Sequence, residues 1–141
     1  MWLRVFALAQ VEVPLQSIQE FLRAQRLPHF IEATGDDLGW KSFRAGDLVV
    51  ERYLVEADDL RGELDTWAAV VESWEAGAPG TKLMQQIIAV RQMFTISADH
   101  GSEELARFLA QRTDGFYYVD DVGFFDASGS PILREPTRDT D

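Results

Sequence analysis

Four aspartates, Asp114, Asp120, Asp121 and Asp126, fall within the run TDGFYYVDDVGFFDASG at residues 113–129, among glycines at 115, 123 and 129. Carboxylates at that density are the raw material of a calcium loop, which draws about six to eight oxygens inward from alternating positions. The spacing fails that requirement. After Asp114 come Gly, Phe, Tyr, Tyr and Val, so rings stand where oxygens are needed. The same run reads well as strands: FYYV extended, DDVG a tight connection, FFD the returning strand and ASGS the next turn. Aspartate bonds nearby amides and glycine accepts positive φ, which is what turns require. The expectation is a hairpin, with no metal and no cofactor.

Two more acidic pairs have the same turn-and-cap character. Asp36 and Asp37 lie between Gly35 and Gly39, and Asp58 and Asp59 precede a helical pattern whose start favours negative charge. The histidines, His29 and His100, stand apart from each other and from any third nitrogen ligand. Ser97 and Ser102 flank His100, but neither sits in a Gly-x-Ser-x-Gly elbow, and glycine-rich phosphate loops are absent. A small enzyme working with carboxylates and one of the histidines, or a small-molecule-binding protein, stays as the alternative to a binding domain.

Composition narrows the field further. The 24 acidic residues against 13 basic ones give a formal net charge of −11, a field that repels phosphate backbones and argues against nucleic acid. The absence of cysteine removes disulfides, thiolate nucleophiles and cysteine-held metals. No stretch reaches the length of a membrane span, and the opening MWLRVFALAQVEVP lacks a cleavage site, so a cytoplasmic protein is expected.

The elements that must position these residues follow from periodicity. Residues 2–8 alternate, with Leu3, Val5 and Ala7 on one side and Trp2, Arg4 and Phe6 on the other. Pro14 opens a helix with the stripe Leu15, Ile18, Phe21 and Leu22, closed before Pro28. HFIEA is a short strand, and WKSFRA and LVVERYLV form a hairpin around Gly46 and Asp47. Asp58 is the expected cap of a helix striped by Leu60, Leu64, Trp67, Val71 and Trp74. GAPG at 77–80 is read as a breaker before a shorter helix at 81–90, and RQMFTIS as a strand. Ser102 caps a helix holding Leu105, Phe108 and Leu109, and strands follow through PIL.

This order fits an α+β fold, a mainly antiparallel sheet with helices packed on one face. The helix–strand–turn–strand order of EFLRAQRLPHFIEATGDDLGWKSF and RFLAQRTDGFYYVDDVGFF suggests an internal βαββ pseudo-repeat. Residues 1–134 form one domain and 135–141 a flexible polar tail.

If the helices take the Leu3 face, the other face carries Trp2, Arg4 and Phe6, joined by Glu51 and Tyr53 from the long hairpin strand. It is more apolar than an ordinary wet face, and its Trp, Tyr, Phe and Arg are the residues that anchor interfaces. Trp40, beside the first acidic loop, is expected to be exposed, and the acidic turns at 36–37 and 120–121 to form a rim for basic groups. Trp67 and Trp74 belong to packing.

Through MWLRVF, DTWAA, RQMFT and RFLAQRTDGFYYVDDVGFFDASG, most of the chain resembles small acidic uncharacterised bacterial proteins of unknown function. That resemblance implies no activity, cofactor or catalytic residue. At fold level only, acidic α+β domains of this size also resemble immunity proteins that neutralise toxins by binding. The expected function is therefore a non-enzymatic domain that binds another protein or a second copy of itself.

Overall fold

Alternation along the first strand decides the architecture, because both of its faces need cover. The structure, a computed structural model, describes residues 2–136. In β1 (Trp2–Ala7), Leu3, Val5 and Ala7 enter one core and Phe6 enters another. Over the described residues, one eight-stranded antiparallel sheet contains β2 (Glu32–Thr34), β3 (Ser42–Ala45), β4 (Leu48–Leu54), β5 (Gln92–Ser97), β6 (Gly115–Val119), β7 (Gly123–Asp126) and β8 (Pro131–Arg134) besides β1. The order across it is β2-β3-β4-β5-β1-β6-β7-β8.

The α+β class and the antiparallel sheet are as expected, but the helices occupy both faces rather than one. The first face holds α1 (Leu15–Ala24) and α4 (Ser102–Arg112), whose Ile18, Leu22, Leu105 and Leu109 pack on Leu3, Val5, Phe94 and Tyr117. Phe21 and Phe108 stack between these two helices with ring centroids 4.4 Å apart. The second face holds α2 (Leu60–Ser73) and α3 (Ala78–Ile88), whose Leu64, Val71, Leu83 and Ile87 close over Phe6, Phe116, Tyr118 and Phe124. A stripe on a helix says which side it buries, not which side of a sheet it will choose. The near-continuous aromatic run of β6, buried from Phe116 to Val119, belongs to a strand covered on both faces.

Several local details depart from expectation for identifiable reasons. GAPG does not break the chain: Ala78 begins α3 and Pro79 sits in its first turn, where a missing amide hydrogen costs nothing. Gly77, at φ 68°, makes the corner instead. Asp58 does not cap α2; its carboxylate accepts from the Leu54 amide at 2.7 Å, and Asp59 takes the cap position at φ 52°. α4 is capped by Gly101, with Ser102 buried as its first residue. α1 has no side-chain cap of its own; Asp37 reaches it from a distant loop, its carbonyl accepting from the Leu15 amide and its carboxylate from that of Gln16. Glu135 is tied to the domain through its amide to Val122 and its carboxylate to the Tyr118 hydroxyl. Residues 137–141 of the expected tail lie outside the described residues.

Trp40 is the clearest correction. It is 1% exposed, not a surface aromatic. Its indole nitrogen donates to the Val13 carbonyl at 2.8 Å, and its ring meets Phe43 edge-on and leans on Phe94. The buried Arg52 guanidinium lies 5.9 Å from the same ring and pairs with Glu12 at 2.8 Å.

Candidate functional site

The run that opened the question of metal binding divides its four aspartates among four separate tasks. Asp114, at φ 53°, turns α4 into β6, and Asp121, at φ 65°, turns β6 into β7. Asp120 pairs with Arg4 at 3.0 Å. Asp126 closes the β7–β8 turn, accepting from the Ser128 amide and hydroxyl and the Ser130 amide at 2.9, 2.6 and 3.0 Å. Those bonds, the Ser128 hydroxyl foremost, hold its carboxyl below the usual aspartate range. The glycines are placed for contact: a Cβ on Gly115 would strike the Phe6 carbonyl, and one on Gly123 the Leu133 carbonyl. Among the described residues no three metal-capable side chains gather. Added calcium should therefore leave the melting temperature unchanged, both in the parent and in Asp120→Asn/Asp121→Asn; a calcium-dependent rise lost in the double variant would reverse the assignment.

The acidic turns expected to form a docking rim are largely occupied within the fold. Asp36 accepts from the Gly39 amide, Asp37 holds α1, and Asp120 holds Arg4.

The second face of the sheet brings the other candidates together. β1, β5 and β4 lie side by side, with Arg4 opposite Thr95 and Thr95 opposite Glu51. Trp2, Arg4, Glu51 and Tyr53 therefore line one cleft of about 330 Å³, walled on its far side by Asp58, Asp59, Leu60 and Glu63 from the start of α2. Phe6, the fifth residue expected on this surface, is fully buried: α2 crosses it, and Trp67 meets its ring edge-on at 5.6 Å. The aromatic half of the face is thus roofed by α2 and α3. Outside the cleft, what stays open is Glu32, Thr34, Ser42, Arg44 and, shared with the cleft, Glu51 around a half-buried Val49, a mainly hydroxylated and charged surface rather than the apolar one expected.

Within the cleft, Arg4 is already committed. Its guanidinium faces Asp120 and lies 5.0 Å from the Trp67 ring, a packed cation rather than a free one. Glu51 accepts from the Tyr53 hydroxyl at 2.7 Å, and Glu63 from the Trp67 indole at 3.4 Å. Lys41 comes only to 4.0 Å of Asp58. Trp2, 48% exposed, offers an open indole beside these carboxylates. Carboxylates around an indole are suited to hold an organic cation, such as the side chain of lysine or arginine. Asp58, Asp59 and Glu63 were not foreseen as part of this surface; a strand's alternation cannot show which helix end will border it. Neither histidine lines the cleft.

All three tyrosines have phenols raised above their ordinary value of 10.0, burial being the largest cause and a carboxylate neighbour the next: Glu51 for Tyr53, Glu103 for Tyr117 and Glu135 for Tyr118. The folded state keeps these protons after an unfolded chain has released them. Their contribution is complete below pH 10 and is lost as pH rises above it. The melting temperature should fall steeply above that point, with tyrosinate absorbance appearing together with unfolding. Tyrosinate formed at pH 10 by the buried Tyr117 or Tyr118 in a chain that is still folded would contradict the burial argument.

No helix among the described residues is long and apolar enough to cross a membrane. No family model matches the chain, and no curated protein or solved structure matches it either.

Proposed function

We propose that this protein is a binding domain that acts on another protein, and that the cleft beside Trp2 is where it does so. One observation carries the reading: four residues scattered along the sequence, Trp2, Arg4, Glu51 and Tyr53, converge on a single cleft at the margin of the roofed half of the sheet. Its chemistry favours a basic partner surface, because Glu51, Asp58, Asp59 and Glu63 outnumber Arg4, whose charge Asp120 already offsets. A second copy of the chain is disfavoured there by the same charges and by the net −11 of each molecule. Among small-molecule chemistries, a histidine-assisted one has no support at this place, since neither histidine reaches it.

The test compares the parent with Trp2→Ala/Glu51→Gln as baits in one host lysate. A protein held by the parent, lost by the equally stable double variant and shown with purified components to bind one to one, is the expected result. Identical sets of captured proteins would reject the cleft as the contact.

A further inference from the structure

The sheet ends at β8 on one side and β2 on the other, and the two edges differ. β8 begins with Pro131, which has no amide hydrogen to offer, and its register against β7 shifts between Phe124 and Phe125. Proline and irregular register are common guards against a foreign strand. β2 has neither. Glu32, Ala33 and Thr34 are all exposed, and Phe30 just before them is 82% exposed. Its guards are its three-residue length and the charge of Glu32.

Two grooves reach that edge, one on each face, the second-face one extending inward over β3 and β4. On the second face a groove of about 430 Å³ is lined by Glu32, Thr34, Arg44 and Glu51. On the first face another of about 440 Å³ is lined by Leu15, Ile31, the two glutamines Gln16 and Gln19, and Asp37, whose carboxylate already accepts from the Gln16 amide. Ala33 borders both. Successive side chains of a strand point to opposite faces, so a segment laid along β2 would fill the two grooves in turn.

We propose that β2 is a docking edge, where an extended segment of another protein, alternating apolar and basic side chains, joins the sheet as an added strand. Apolar side chains would settle on Leu15 and Ile31, and basic ones beside Glu32, which borders the added strand while Arg44 lies one strand further in. Charge selects this occupant over a second copy. A second β2 would set its own Glu32, Asp36 and Asp37 near the same groups, and each copy carries a net charge of −11. The proposal specifies a partner for the binding reading above, yet it shares only Glu51 with the cleft.

The probe is a blocked peptide of about eight residues alternating valine with lysine, of ordinary strand length. It is titrated into the full chain while amide exchange is followed. Slowed exchange at the solvent-facing amides of residues 32–34 is expected, and this readout needs no variant. Glu32→Pro and Ala33→Pro are then made singly; successive strand amides face opposite sides, so one of the two removes a solvent-facing donor. The variant that keeps the parental melting temperature should weaken the peptide about ten-fold or more, while Glu63→Gln in the cleft should change it by less than about two-fold. Absence of binding, or binding without protection at 32–34, overturns the proposal. Binding lost in Glu63→Gln but kept in the proline variant also overturns it, and leaves the cleft reading standing.

Discussion

Phe124→Ala is expected to remove about 3–5 kcal/mol of stability, the cost usual for deleting a fully buried ring that its surroundings cannot collapse to fill. Phe124 has no exposed surface, and five other rings surround it: Tyr118 at 4.9 Å, Phe6 and Trp74 at 5.8 Å, Trp67 and Phe116 at 6.1 Å between centroids. Those rings come from β1, β6, α2 and the residue after α2, so the hole would be shared by elements that cannot move independently. Against a typical total of about 5–15 kcal/mol, the loss is large. Denaturant unfolding checks it: the midpoint should drop with the slope unchanged. A loss under about 1 kcal/mol would mean that α2 and α3 do not lie on this face.

The second large effect concerns Gln92, which is fully buried at the start of β5 and joins three groups. Its carbonyl oxygen accepts from Arg52 Nε at 2.9 Å, and its amide nitrogen donates to the carbonyls of Ala9 and Val11 at 3.0 and 2.8 Å. Gln92→Leu conserves much of the volume but leaves a buried guanidinium nitrogen and two carbonyls without partners. The buried guanidinium nitrogen bears the full cost of about 1–3 kcal/mol, and the part-buried Ala9 and Val11 carbonyls, which water can reach, cost less each, giving an expected loss of about 2–5 kcal/mol. Glu12, whose side chain is 45% exposed, still neutralises part of the Arg52 charge, which keeps the figure from rising further. Adding Arg52→Met should recover part of the loss, since the cation that lost its acceptor is then gone. A double-mutant cycle measured by chemical denaturation tests this; strictly additive losses would show that the two side chains are not one unit.

The limits of sequence reading can be located at particular residues. β1 was legible because two apolar sets alternate along it, and α2 because Leu60, Leu64 and Val71 keep helical spacing and are buried. These are local periodicities, and local sterics enforce them. Trp40 was not legible. It follows a loop of glycines and aspartates, a solvent-facing composition, yet its cover comes from Val13, Phe43, Arg52 and Phe94, remote or non-adjacent in the chain. The cleft lies between these cases. Alternation placed Trp2, Arg4, Glu51 and Tyr53 on one face, but only the insertion of β5 between β4 and β1 brings them together. That insertion is a long-range pairing with no local signature, and it is also what lets α2 descend over Phe6.

The central place of β1 has a consequence during synthesis. Of the eight described strands β1 leaves the ribosome first, yet both of its neighbours, β5 and β6, are among the later ones. At about 5–20 residues per second, its apolar side chains wait on the order of ten seconds before either edge can be paired. A growing chain halted before residue 92 therefore carries a bare WLRVFA segment. Ribosome-stalled lengths ending on either side of β5 should differ sharply in their capture by nascent-chain chaperones.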